Sequence, residues 1–224
     1  MLKKPRSYAE VYNDLDGELV NLFKVARDHG RELQAALKLT PFARSEFMES
    51  YEPSADPIEQ ARKTVIRAFM GFGSNSHFKK SGFRANANRS GTTPAHDWAN
   101  YPKAFDSIIE RLQGVVIENK DALDVMRHHD SSETLHYVDP PYMPETRTGA
   151  KGYRHEMNEQ DHEKLAESLN SLEGYIVLSG YGNSLYDKLF KGWARLDKLA
   201  FADGARARIE SLWLSPNCKK YELF

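Results

Sequence analysis

The chain has 224 residues, 40% of them hydrophobic and 28% charged, with a formal net charge of −1. That size and balance fit one α/β domain with a small inserted or flanking subdomain, and the total charge does not advertise a polyanion partner. No apolar run approaches the roughly 18 residues of a membrane span, so no transmembrane span and no membrane partner are expected. The basic start Met1-Leu2-Lys3-Lys4-Pro5-Arg6 has no apolar stretch behind it and is not a signal peptide. The single Cys218 excludes an internal disulfide and a multi-cysteine metal site, which makes a reducing, cytoplasmic setting the expectation.

Ser7 to Tyr12 reads as a short strand ending at Asn13-Asp14. Asp16 is placed to cap a helix whose apolar positions Leu19, Leu22, Phe23 and Ala26 recur at helical spacing. Leu33 to Leu39 is helical or irregular, and Pro41 to Pro53 sets Phe42, Phe47 and Tyr51 around Arg44. Ile58 to Phe72 reads as a helix with Ala61, Val65, Ala68, Phe69 and Phe72 on a broad apolar side. The Ser-, Asn- and Gly-rich stretch Gly73 to His96 is too long for a plain connection, which marks a functional or partly disordered loop. Between Glu59 and Asp97 there is no acidic residue, whereas Arg62, Lys63, Arg67, Lys79, Lys80, Arg84 and Arg89 are basic. Such a one-sided block is either a solvated face or a contact for a phosphate backbone.

Pro102 to Gln113 returns to helix, with Phe105, Ile108, Ile109 and Leu112 as its stripe. Gly114 to Glu118 is a short strand, and Asp121 caps a short helix through Met126. Leu135 to Val138 is another strand. Asn158 with Asp161 fits an acidic capping box, opening a helix to about Leu172. Tyr175 to Ser179 looks like a strand of a covered sheet. Ser184 to Phe190 is a short helix, and Trp193–Leu199 with Ala207–Leu214 make two strands in a hairpin-like arrangement. The alternation argues for an α/β fold with a mostly parallel sheet and helices on both faces. In such sheets ligands sit beyond the strand C-termini. Asp14, Asp121, Asp139 and Ser179 all fall at or just past such an end.

The strand Leu135 to Val138 delivers Asp139-Pro140-Pro141-Tyr142. An acid, two prolines and an aromatic ring in that order suit a planar amino group. The carboxylate accepts one hydrogen bond from the amine, and the carbonyl of Pro140 accepts a second. Pro141 stiffens the turn, and Tyr142 offers a ring face for a base. The competing reading is a proline-rich turn after a buried strand.

In order along the chain, YNDLDGELVNLFKVAR (Tyr12 to Arg27), GFRANANRSGTTPAHDW (Gly82 to Trp98), VVIENKDALDVM (Val115 to Met126), VDPPYMPETR (Val138 to Arg147), YRHEMNEQDHEKLAESL (Tyr153 to Leu169), IVLSGYGNSLYDKLF (Ile176 to Phe190) and ESLWLSPN (Glu210 to Asn217) resemble one family. It is the Dam-like, D12 class of DNA adenine-N6 methyltransferases, in its phage and prophage form. The resemblance implies a Rossmann-like methyltransferase sheet with helices on both faces, and double-stranded DNA as partner. It implies S-adenosylmethionine as cofactor, no metal, and a bacterial host cytoplasm. The family's organisation would make residues 1–30 and 101–224 the catalytic domain and 31–100 an inserted target-recognition subdomain.

The resemblance also distributes roles. Asp14 matches the acid that binds the ribose hydroxyls of the cofactor; as plain chemistry it is also an acid flanking a helix. Asp121 matches the acid near the cofactor's adenine, a role compatible with capping a helix. Asp139, Pro140 and Tyr142 match the motif that holds the flipped adenine, with Asp139 also bordering the cofactor. Lys79, Lys80, Arg84, Asn86 and Arg89 fall in the recognition module, Lys79 and Lys80 for phosphates and Arg84 and Asn86 for base edges. Arg147, Lys151 and Arg154 follow the motif and are a second DNA-contacting group. For each of these the alternative is an exposed polar side chain. Arg44 is a further candidate for the DNA interface.

One departure stands out. The family carries a first strand and a glycine-rich F-x-G-x-G-like loop ahead of the position of Asp14, and this sequence has no glycine before Gly17. Gly71-Phe72-Gly73 follows a helix and reads as a turn. The expectation is therefore a sheet lacking its first central strand, with that strand supplied by an upstream segment or a separate polypeptide. A catalytically inactive DNA-binding or interaction protein on the same scaffold is the alternative.

Overall fold

The computed structural model describes residues 4–73, 76–85, 91–146, 152–202 and 206–220. The candidate residues Asn86, Arg89, Arg147 and Lys151 lie outside the described residues. The chain forms two compact units, Met1–Lys120 and Asp121–Phe224.

The first unit runs β1 (Glu10–Asn13), α1 (Gly17–Asp28), α2 (Gly30–Leu39), α3 (Arg44–Glu49), α4 (Pro57–Met70), α5 (Pro94–Asn100), α6 (Phe105–Leu112) and β2 (Val115–Glu118). Asp16 starts α1 by accepting from the Glu18 amide, and Asp56 starts α4 by accepting from the Ile58 amide. β1 and β2 pair in parallel, with Tyr12 opposite Ile117. Val115 and Ile117 face Val20 of α1, and Tyr12 packs on Phe23 with ring centroids 4.4 Å apart. On the opposite face Val11 and Val116 are exposed. The helices enclose their own core, in which Leu33, Leu37, Phe47, Ile66 and Met70 are fully buried.

The basic block needs correction. Arg67 is 4% exposed and points into the unit. It donates to the carbonyls of His77 (2.6 Å) and Ser50, to Thr64 and to the Glu18 carboxylate. Arg62 is paired with Glu59 at 2.7 Å and Glu46 at 2.8 Å. Neither presents a charge for a phosphate backbone. Carboxylates on α1, α3 and α4 itself turn them inward, because a buried guanidinium needs several acceptors and these elements supply them.

The stretch after α4 is folded back on the unit through residue 85. Gly71 and Phe83 bridge antiparallel, and the Arg84 amide donates to the Met70 carbonyl at 2.8 Å. Tyr51 accepts from the Ser81 amide at 3.2 Å. Residues 76–85 are thus held on the unit, which disagrees with partial disorder there but leaves the functional-loop reading standing.

The second unit runs α7 (Ala122–His129), β3 (Leu135–Val138), α8 (Glu159–Ser171), β4 (Tyr175–Tyr181), α9 (Ser184–Leu189), β5 (Ala194–Ala202) and β6 (Arg206–Leu214). Its sheet order is β3-β4-β6-β5. β3 and β4 are parallel, while β6 is antiparallel to both neighbours. So among the described residues the strands form two sheets, not one, and the second is mixed. The short connection from Ala202 to Arg206 forces β5 and β6 antiparallel, since a parallel crossover needs about a dozen residues. One face packs Leu165 and Leu169 of α8 and Tyr186 of α9 on Ile176, Leu178 and Trp213. On the other face Leu135 and Tyr137 are 54% and 45% exposed, and no helix of this unit covers them among the described residues. The Asn158–Asp161 capping box is present.

Asp130 fixes how β3 starts beside β4. Its carboxylate accepts from His136 at 3.0 Å and from the amides of Glu173 (2.8 Å) and Gly174 (3.1 Å). Burial pushes its pKa up, but these donors outweigh burial and hold it below the ordinary value. A Cβ on Gly174 would come within 2.6 Å of the Thr134 carbonyl. Among the described residues no helix is long and apolar enough to cross a membrane.

Two outcomes follow. Gly174→Ala should destabilise the second unit by about 1–3 kcal/mol, because backbone and not a flexible side chain must move; an unchanged denaturant midpoint refutes this. Glu10 is held by Arg111 above all, then by Lys4, which brings its pKa from 4.5 to about 2. Its depressed pKa stabilises the fold fully above pH 4.5, and that contribution is lost as pH falls toward 2. Glu10→Gln should flatten the stability profile across that window, which pH-dependent melting of both proteins would measure.

Candidate functional site

In the first unit the ends of the two parallel strands are laced together. Asn13 and Lys120 exchange two hydrogen bonds of 3.0 Å. The Asn119 amide donates to the carbonyls of Asp14 (2.7 Å) and Leu15 (3.2 Å). Asp14 follows β1, half-buried, and its two carboxylate oxygens accept from the Asp16 amide at 2.8 Å and the Tyr12 hydroxyl at 3.1 Å. Burial and the Asp14 charge push the Tyr12 phenol upward, so it remains a neutral donor. Each oxygen carries about two acceptor sites, so this arrangement leaves room for a vicinal diol. Asp121 is exposed and caps α7 through the Leu123 amide at 2.8 Å. The capping role read from sequence is thus present.

In the second unit the C-terminal ends of β3 and β4 carry a second cluster. The parallel register sets Val138 beside Leu178. The next residues are Asp139 and Ser179, and the Ser179 hydroxyl lies 2.7 Å from the Asp139 carboxylate. Pro140 is buried, while Pro141 and Tyr142 are half-buried. Met143, at 6% exposed, anchors the far side of the turn. Burial and the charge of Asp139 push the Tyr142 phenol upward. Tyr142 also meets Tyr181 edge to face, with centroids 4.8 Å apart. An anionic acceptor, fixed at a strand end beside aromatic rings, is equipped to take a planar amine.

The basic candidates divide. Lys79 and Lys80 are exposed, with the Lys80 ammonium 5.9 Å from the Tyr51 ring centroid. Arg44 is exposed over Phe83 at 5.0 Å. Arg84 is half-buried, and one of its guanidinium nitrogens donates to the Phe69 carbonyl at 3.1 Å, which ties the folded-back stretch to α4. Arg154 is exposed in the second unit. Among the described residues no group of three or more His, Cys, Asp or Glu side chains is gathered to hold a metal ion.

Sequence reasoning named Ser179 only as a strand end, and it missed Tyr12, Asn119 and Tyr181. The available signal for Ser179 was a polar residue closing an apolar strand core, which requires a partner once buried. Tyr12 and Asn119 carry no such local mark.

Acids at the C-terminal ends of parallel strands are the architecture of an α/β ligand-binding protein. A family model of the D12 class N6 adenine-specific DNA methyltransferases matches residues 1–201 of the 224-residue chain. The chain belongs to that family, whose fold is Rossmann-like and whose reaction is methyl transfer to adenine N6 in DNA. No individual curated protein matches the chain.

Proposed function

We propose that this chain carries the adenine-binding half of an S-adenosylmethionine-dependent DNA adenine-N6 methyltransferase. The observation that carries the reading is the Asp139 carboxylate held by Ser179 at the end of β3, with Tyr142 beside it. Asp14 would hold the ribose of the cofactor, and the acceptor capacity left on its carboxylate fits that diol. Asp121 would lie near the cofactor's adenine. When bound, the cofactor supplies an electrophilic methyl group.

The chain's own residues supply orientation. The N6 amine is a poor nucleophile because its lone pair is delocalised into the ring. Accepting its two hydrogens at Asp139 and at the Pro140 carbonyl favours a pyramidal nitrogen and frees that lone pair. Positive charge growing on nitrogen is favoured by the Asp139 carboxylate. Fixing approach and angle removes much of the barrier, without prior deprotonation. A base inside a duplex cannot reach such a pocket, so it must be flipped out, and Tyr142 would stack on it. We assign residues 31–100 to target recognition, inserted between 1–30 and 101–224. Lys79 and Lys80 would meet phosphates, and Arg84 a base edge. Arg154, with Arg147 and Lys151, would form the second contact.

We further propose that catalysis needs a strand and glycine-rich loop beyond those this sequence carries, from upstream chain or a separate polypeptide. β1 and β3 each keep one edge without a strand partner among the described residues, and in the family the first strand would pair with both. The test is incorporation of labelled methyl into double-stranded DNA. The 224-residue chain alone should give background incorporation. Robust labelling by it refutes the need for another segment. In any active form, Asp139→Asn should lower the rate by about 100-fold or more. An undiminished rate refutes the role of Asp139. DNA binding without incorporation in every form supports the inactive DNA-binding alternative.

A further inference from the structure

We infer that Ser179 is a positioning residue that sets the Asp139 carboxylate, and thereby makes the pocket selective for a base bearing an exocyclic amine. The inference rests on the adenine-binding reading above and names the residue on which its selectivity depends.

Asp139 is exposed, at the start of a turn. Pro140 and Pro141 stiffen the backbone there, but they leave the aspartate side chain its usual three staggered wells about χ1. Something outside the motif must choose the well. Ser179 is 6% exposed, on a strand whose neighbours Ile176 and Leu178 are buried in the core. Its Cβ is therefore fixed by packing and by the parallel pairing with β3. Its hydroxyl has two acceptors within reach, the Asp139 carboxylate at 2.7 Å and the Val138 carbonyl at 3.3 Å. One proton serves one of them well, and the shorter, charge-assisted contact to the carboxylate wins.

Tyr142 lies close enough to Asp139 for burial and the charge of that carboxylate to push its phenol upward. One hydroxyl on β4 thus holds the acid of a motif that lies on a separate segment. The Ser179 donor holds the carboxylate as an acceptor and leaves capacity for an amine. A base lacking the amine would place nothing against that acceptor, leaving it partly desolvated and unpaired. Selectivity therefore depends on the carboxylate being held in place, and the group that holds it is Ser179.

The test uses the 224-residue chain with Ser179→Ala, Ser179→Thr and Asp139→Asn. NMR titration compares 9-methyladenine with 9-methylpurine, which differs by the missing amine. The unaltered chain should favour 9-methyladenine by about tenfold, one charge-assisted hydrogen bond. Ser179→Ala should bring that ratio close to one, Asp139→Asn likewise, and Ser179→Thr should restore most of it. Equal weakening of both bases, without rescue by threonine, is what a merely structural serine would give and overturns the inference. So does an unchanged ratio in Ser179→Ala. Should the unaltered chain itself not discriminate, the adenine-binding reading fails. Crystal structures of the unaltered chain and Ser179→Ala then decide the positioning separately: a rotated Asp139 side chain in the variant supports it, and an unmoved one overturns it. If Ser179→Ala does not fold, Ser179→Cys, which keeps a weak donor of similar size, takes its place in every measurement and should show a partial loss.

Discussion

Parallel pairing is the constraint on which both polar clusters depend. In a parallel pair both strands deliver their following turns to the same edge. β1 and β2 therefore bring Asn13 beside Lys120, and Asp14 beside Asn119. β3 and β4 bring Asp139 beside Ser179 in the same way. Had either pair been antiparallel, its two C-terminal ends would lie at opposite ends of a four-residue ladder, about 13 Å apart. Hydrogen bonds below 3 Å between those turns would then be impossible. The register adds to the direction, because a slip of one residue would turn Ser179 to the opposite face.

Registers of this kind need anchors at the other end of the strands, and buried polar groups supply them. Asp130 gathers His136 with the amides of Glu173 and Gly174, and so fixes where β3 and β4 begin. Arg67 plays the corresponding part among the helices of the first unit, linking α4 to α1, to the end of α3 and to the folded-back stretch. Such groups contribute less to net stability than to uniqueness. An alternative packing would strand a guanidinium or a carboxylate without partners, which costs several kcal/mol, whereas sliding one leucine past another costs little. Trp213, Tyr186 and Phe190 then fill the volume around β4 by edge-to-face contacts near 5 Å.

Local signals were legible in the sequence, and pairings between distant segments were not. Asp16, Asp56 and Asn158 each satisfy amides within three residues, so a cap can be read from its immediate neighbours. β3 is legible for the same reason, bounded by polar residues and by Pro140. Arg67 was misread because a charge sign along the chain carries no information about burial. Its acceptors come from Glu18 and Ser50, far off in sequence. The stretch after α4 was open to reading as a functional or a partly disordered loop because its composition is that of a loop. Tyr51, about thirty residues earlier, is what holds it. The contact of Ser179 with Asp139 spans forty residues and follows only from the register. The roles of Asp14, Asp121 and Asp139 came from family resemblance, and the geometry supplies the partners that the resemblance leaves unnamed.

The partners of Asp139 also constrain which protonation states the cluster can use. Burial and the neighbouring carboxylate both push the Tyr142 phenol upward, so it stays neutral across the ordinary pH range. A phenolate there would face the Asp139 charge. With Tyr142 neutral, no phenolate faces the carboxylate, and the acceptor capacity that Ser179 leaves on it suits a further N–H. A carbonyl at the corresponding position of another base would oppose its oxygen to that carboxylate. In the proposed adenine pocket, the carboxylate that Ser179 orients would therefore favour amine-bearing bases over keto bases, before any contact with the DNA backbone contributes.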